Sequence, residues 1–188
     1  DREYRVTMVD ITERKLIERT QMFLLNSGWS ISGEDFFSAL ARYLAETLDM
    51  DYVCIDRLEG DGLEAKTEAV YFDGKFEDNL VYALKNTPCG DDVGKTICSF
   101  PKDVRRLYPT DVALQQMRAE CYVGTTLWDS HGKPIGLIAV IGKQPRDNLS
   151  LAEAILRLVA IRAAGELERR QVEAEMKRLA SFPMLNPR

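Results

Sequence analysis

Histidine occurs once in this chain, at His131, and no stretch approaches the roughly 20 consecutive apolar residues that a membrane-spanning helix needs. One histidine leaves no HExxH zinc-protease pair, and no Ser-His-Asp motif or glycine-rich phosphate loop is recognised. The four cysteines, Cys54, Cys89, Cys98 and Cys121, include no C-x-x-C pair. That spacing fits no zinc finger or zinc ribbon, and it is too sparse for a disulfide framework. We read free thiols in a reducing, cytoplasmic setting. Positive charge is also in deficit. A net charge of −5 and a pI near 5.1 argue against nucleic acid as a main partner, because phosphate binding needs a basic surface. The opening DREYRVTMVDITERK is charged throughout, so no secretory leader is expected from it.

What is present is a patterned soluble core. Residues 124 to 142, GTTLWDSHGKPIGLIAVIG, place a polar Asp-Ser-His-Gly-Lys-Pro knot between two apolar stretches. Gly and Pro at the knot predict a turn, and hence a β-hairpin. Its second strand, Ile135 to Ile141, is almost continuously apolar, as expected of a strand in the middle of a covered sheet. His131 then reads as an exposed turn residue.

Arg2 to Val9 alternates weakly and predicts a strand. Asp10-Ile-Thr-Glu13 resembles a capping box, with a helix following to about Asn26 and ending at Asn26-Ser-Gly28. Leu16, Thr20 and Phe23 share one face of that helix. Ser32 is expected to cap a second helix whose core stripe is Phe37, Leu40, Ala41, Leu44 and Leu48. Strands are predicted at Tyr52–Leu58, Leu63–Phe72, Leu80–Leu84 and Thr96–Phe100. In the second of these, alternation sets Ala65, Thr67, Ala69 and Tyr71 on one side. Short helices are expected near Lys102–Leu107 and Asp111–Arg118, either side of Pro109. A last helix begins with a Ser150/Glu153 capping box and runs to about Leu179. The order implies an α+β layer: an antiparallel sheet of about six strands, terminal helices on one face and short inserted helices on the other.

Thr87-Pro-Cys89, Phe100-Pro101, Glu120-Cys-Tyr-Val-Gly124, Leu127-Trp-Asp-Ser-His-Gly-Lys-Pro-Ile-Gly136 and Arg162-Ala-Ala-Gly-Glu-Leu-Glu-Arg169 resemble the GAF domain. They are most similar to the type found between PAS domains in sensor histidine kinases and diguanylate cyclases. Val9-Asp-Ile-Thr-Glu-Arg-Lys15 resembles the close of a PAS domain, and Leu179 to Pro187 the entry to another. The resemblance implies this division: 1–10, the tail of a PAS domain; 11–28, a linker helix; 29–147, the GAF core; 148–180, a C-terminal signalling helix; 181–188, a linker to the next PAS domain. It implies a regulatory module of a two-component or related system rather than an enzyme. Expected partners are an unknown small molecule, flanking PAS and output domains and a second copy in a homodimer, with no membrane contact.

The family's known ligand chemistries find little purchase here. The Cys-His pair of bilin-binding members, the Asn-Lys…Phe…Asp-Glu signature of cyclic-nucleotide binders and a well-placed haem histidine are all missing, and no cofactor or metal is assigned. Cys89, Cys98 and Cys121 loosely resemble the three-cysteine layout of free methionine-(R)-sulfoxide reductases, which share the fold. That keeps a thiol enzyme or redox sensor as an alternative, and a ligand-free dimerisation and relay module as another. Aromatic and apolar residues around the inserted segment, Phe72 and Tyr82 among them, are candidates to line a pocket. The ligand-binding set chosen is Tyr71, Cys98, Phe100, Tyr108, Met117 and Tyr122. The alternative for each is plain core packing. No catalytic residue is assigned.

Overall fold

The structure is a computed structural model that describes residues 2–25 and 33–181, with side chains from residue 12 onward except Asp92. The expected helix stop at residues 26–28, the Ser32 cap and the tail from residue 182 lie outside the described residues. In chain order the elements are α1 (Arg2–Leu25), α2 (Phe36–Leu48), β1 (Tyr52–Glu59), β2 (Glu64–Phe72), β3 (Lys75–Glu77), β4 (Val81–Ala83), α3 (Pro88–Asp92), β5 (Cys98–Phe100), α4 (Val104–Leu107), α5 (Val112–Met117), β6 (Cys121–Trp128), β7 (Pro134–Gly142) and α6 (Ser150–Ala180). No helix among the described residues is long and apolar enough to cross a membrane.

The strands form one sheet in the order β3-β2-β1-β7-β6-β5, with β4 also paired to β2, and every pairing is antiparallel. The β6–β7 hairpin occupies the middle, as its apolar sequence predicts. One strand more than expected is present, because Asp73-Gly74 turns the chain back to form β3. Gly74 and Asp73 both adopt positive φ, which suits a tight two-residue hairpin turn.

One face of the sheet is covered by α2 and α6, with α1 outside them. The apolar stripe of α2 and residues Ile155, Leu156, Val159, Ala163 and Leu167 of α6 pack onto Val53, Ile55, Val123, Ile138 and Val140. The cap of α2 is Asp35, whose carboxylate accepts from Phe37 N (2.9 Å) and Ser38 N (3.3 Å). At α6 the predicted capping box does not form. Ser150 is already helical, its amide taken by Asn148 Oδ1 (2.8 Å), and Glu153 accepts from Ser99 Oγ (2.7 Å) instead.

The predicted strand at Arg2–Val9 is also corrected: the segment is the first part of α1. It contains neither Gly nor Pro, and its residues are mostly tolerable in a helix, so nothing interrupts the helix upstream of Asp10. Helix α1 docks through Thr20, which is fully buried and shares a 2.8 Å hydrogen bond with Tyr43 of α2. Phe23 stacks on the same Tyr43 ring, with centroids 4.1 Å apart.

Candidate functional site

The opposite face has a different floor. Here the strands present Cys54, Ala65, Thr67 and Ala139, all small, beside Leu137 and Ile141. The short helices α3, α4 and α5 form the cover. Each is too short to persist alone and depends on its ends. Thr87 caps α3 by accepting from Gly90 N (3.0 Å), and Asp111 caps α5 by accepting from Leu114 N (3.1 Å). Gly90 is required where it is, because a Cβ there would collide with the carbonyl oxygen of Leu84. Small floor and short cover leave a cavity of about 320 Å³. Tyr52, Tyr82 and Tyr122 contribute aromatic wall, Cys54 and Cys89 line it, and Leu114 and Met117 close it from α5. A second depression of about 370 Å³ lies on the surface between β6 and α6, lined by Thr125, Trp128 and Ile161 among others. It holds no cluster of buried ionisable groups, so the covered cavity is the candidate site.

A buried acidic group lies beside the cavity without lining it. Asp56 is fully buried on the same side of β1 as Cys54, two residues away. Tyr82 Oη donates to Asp56 Oδ2 at 2.8 Å, while Oδ1 has no hydrogen-bond partner. Burial pushes the Asp56 carboxyl up to about 6, against the opposing hydrogen bond from Tyr82 and the nearby Cys54 thiol. The hydrogen bond to Cys89, burial and the nearby Asp56 carboxylate together push the Cys54 thiol up, which favours its neutral form. Burial likewise raises the phenols of Tyr52 and Tyr82 above their ordinary range. Cys89, on α3, accepts from Tyr122 Oη at 3.4 Å. Ligand atoms of Cys54, Asp56 and Cys89 all lie within 4.8 Å of one another.

The six residues chosen from sequence fare unequally. Met117 and Tyr122 line the cavity. Phe100 and Tyr108 stand behind Tyr122 as a ring cluster, with centroids 5.7 Å apart between the two and 6.1 Å from Phe100 to Tyr122. Cys98 pairs with Gly124 in the same alternation as Phe100 with Tyr122, so it shares that face without lining the cavity. Tyr71 is on the other side of the sheet, packed in the core beneath the terminal helices and against Phe76. The physical reason is a bulge. Ile55 pairs with Ala69 and Asp56 with Thr67, leaving Glu68 as an extra residue. Ala65 and Thr67 therefore face the cavity, whereas Ala69 and Tyr71 face the helices. The three-cysteine layout is divided as well. Cys121 is on the helix side, its thiol 4.0 Å from the Met50 sulfur, away from Cys89. His131 is exposed in its turn, as expected.

Residues 32–167 match the sequence model of the GAF domain. The chain belongs to the GAF domain family. No curated protein matches its sequence at a significant level. Solved GAF-like structures do. The GAF domain of an Acinetobacter phosphoenolpyruvate-protein phosphotransferase superposes with a TM-score of 0.64 at 15% identity, covering 87% of this chain and 98% of that one. Free methionine-R-sulfoxide reductase from Neisseria meningitidis, solved with its substrate, gives 0.63 at 15% identity over 85% and 91%. The chromophore-binding domain of a Stigmatella aurantiaca bacteriophytochrome (Thr289His mutant) gives 0.61 at 13% identity over 84% and 60%. At these identities the likeness establishes the fold alone. GAF domains are mainly regulatory modules that bind small molecules, and this one keeps a cavity between its sheet and inserted helices.

Proposed function

We propose that this GAF domain is the sensory module of a signal-transduction protein, binding a small molecule in the cavity beneath α3–α5 and passing the signal through α1 and α6. The carrying observation is the cavity of about 320 Å³ between the sheet and the inserted helices, lined by three tyrosines and two cysteines and bordered by the buried Asp56. Such a site suits a compact ligand with apolar surface and one or two polar groups. In this reading residues 1–10 close a preceding PAS domain and 181–188 lead to another. The parent is a cytoplasmic sensor histidine kinase or diguanylate cyclase. Two features support a relay. Arg170 joins Asp35 at the cap of α2, Glu166 on its own helix and Glu68 at the bulge, which fixes α6 to the domain at that point. Beyond it α6 is solvated for two further turns and more, a lever able to carry a rotation or shift into the next domain.

Native mass spectrometry of protein purified from its own host tests the pocket. Wild-type protein is expected to retain a small molecule, and Ala113→Trp at the cavity wall is expected to lose it. Protein that carries nothing, and that no metabolite panel stabilises against heat, would overturn the ligand reading. A second reading, a relay through dimerisation without ligand, is favoured by Val172, Met176 and Leu179, apolar and more than half exposed along the end of α6.

A further inference from the structure

The cluster at the cavity floor has a composition that a ligand pocket for an organic molecule does not require. Cys54 and Asp56 arrive together because residues two apart on β1 share a face. Cys89 arrives from α3, which the tight Leu84–Gly90 contact presses onto that face. The three donors fall within 4.8 Å of one another, so a contraction of about 1 Å at most brings them to the separations set by a common metal at 2.0–2.3 Å from each. Two further observations point to a ligand. Asp56 is wholly buried, yet its Oδ1 lacks any hydrogen-bond partner. A buried, unpaired carboxylate oxygen is costly, and a cation on it removes that cost. The donors are also oriented from behind: Tyr82 Oη holds Asp56 Oδ2, and Tyr122 Oη holds the Cys89 sulfur. Outer hydrogen bonds of this kind fix the ligands of metal sites.

We propose that Cys54, Asp56 and Cys89 form a site for a single borderline divalent transition metal of the zinc or ferrous type. Two sulfurs and one carboxylate favour such an ion over magnesium or calcium, which take oxygen ligands. Binding displaces the two thiol protons to solvent, and three anionic ligands on a dication leave one net negative charge. Cys54 and Cys89 line the cavity, so the coordination position left open faces its interior, where water or a small donor completes the set. The site stands on its own three donors and does not depend on an organic ligand being bound.

Cobalt(II) is the direct probe. Reduced, metal-stripped protein kept under anaerobic conditions is titrated with Co²⁺ and then Zn²⁺. The expected result is one equivalent of Co²⁺ giving thiolate-to-cobalt charge-transfer absorption and intense visible bands, abolished by Zn²⁺. Cys54→Ser, Cys89→Ser and Asp56→Asn should each weaken binding at least tenfold. Tyr122→Phe should weaken it less, and Cys98→Ser and Cys121→Ser not at all. Circular dichroism on each variant separates lost ligands from lost fold. No charge-transfer band in folded wild-type protein would overturn the proposal. So would a band that survives Cys54→Ser together with Cys89→Ser, or one that disappears with Cys98→Ser or Cys121→Ser. These outcomes read metal alone, so they are distinct from a failure to find an organic ligand.

Discussion

Strand β1 sends Val53 and Ile55 beneath the terminal helices, and Cys54 and Asp56 beneath the short ones. Strand β7 repeats the division, with Ile138 and Val140 on one side and Ala139 on the other. The same backbone, with the same hydrogen bonds, thus supports one face filled with branched side chains and one with room and polar groups left over. The difference teaches where each property resides. Dense apolar packing gives stability roughly in proportion to area removed from water. A face with small residues, buried thiols and an unpaired carboxylate oxygen gives up part of that stability and gains a place to bind. Equal chemical damage on the two faces should therefore have unequal consequences.

The largest effect is expected at Leu156. It is completely buried between α6 and the sheet, and it lines none of the cavities described. Leu156→Ala should lower the unfolding free energy by about 3–5 kcal/mol, because the neighbouring helices cannot collapse into the gap. Urea denaturation followed by circular dichroism measures it. Leu114→Ala is the matched cut on the other face. Leu114 is just as buried, but it lines the cavity and belongs to a helix of six residues. Its removal enlarges a space that already exists, so a loss of about 1–3 kcal/mol is expected, at least 1 kcal/mol below that at Leu156. Equal losses at the two leucines would break the comparison.

The filled face was the more legible of the two in the sequence, for a physical reason. Its residues repeat: Phe37, Leu40, Ala41, Leu44 and Leu48 recur at helical spacing, and all are buried. The Asp129–Pro134 turn with its flanking apolar runs likewise fixes the central hairpin. The cavity face depends on events without a period. The bulge at Glu68 reverses the side on which later residues of β2 lie, and it moved Tyr71 out of the expected pocket. The cluster joins residues 54 and 56 to residue 89, more than thirty positions further on, and no metal-binding spacing marks them. One signal was available. Asp56 stands inside the apolar run YVCIDRL, two residues after Cys54, and strand alternation sets both on one face. The N-terminal error has a different source. Weak alternation in Arg2–Val9 was outweighed by an uninterrupted helical continuation into α1.

Charge sharpens the comparison at a smaller scale. Glu166 is buried on the helix side, where Arg169 and Arg170 donate to it at 2.7 and 3.0 Å. The hydrogen bond from Arg169, followed by that from Arg170 and both charges, holds its carboxyl below the usual value of 4.5 despite partial desolvation. A carboxyl lowered on folding adds stability above its unfolded value and loses it as pH falls through the folded one. Stability from this group should therefore be constant near neutral pH and decline from about pH 4.5 downward. Glu166→Gln should cost about 1–2 kcal/mol at pH 7 and remove that part of the acid dependence. Urea unfolding at pH 7, 5 and 3.5 on both proteins is the measurement. An unchanged acid slope in the variant would show that Glu166 adds nothing to it.

The smallest effect on the fold is expected where α6 leaves both faces behind. Leu151, Leu158, Gly165, Val172 and Leu179 recur every seven residues, and the row runs from Leu151, packed at the margin of the core, to exposed positions at the end of α6. Leu151 and Leu158 are half-buried, while Val172 is 59% and Leu179 55% exposed. The row is interrupted by Gly165, so it cannot form a long coiled coil alone. It can still supply a parallel seam with a second copy, supplemented by α1. A charge at Val172 touches no buried group, so Val172→Glu should change the unfolding free energy of the monomer by less than about 0.5 kcal/mol. In a seam, the same charge faces its own copy across the axis and must be desolvated on association. Sedimentation equilibrium should therefore show a wild-type dimer that weakens at least tenfold in Val172→Glu, with an unchanged urea midpoint at concentrations where both are monomeric. A wild-type monomer at high micromolar concentration would remove self-association from this segment. A dimer indifferent to Val172→Glu would move the seam elsewhere, and the exposed row would then be a solvated surface of the relay helix.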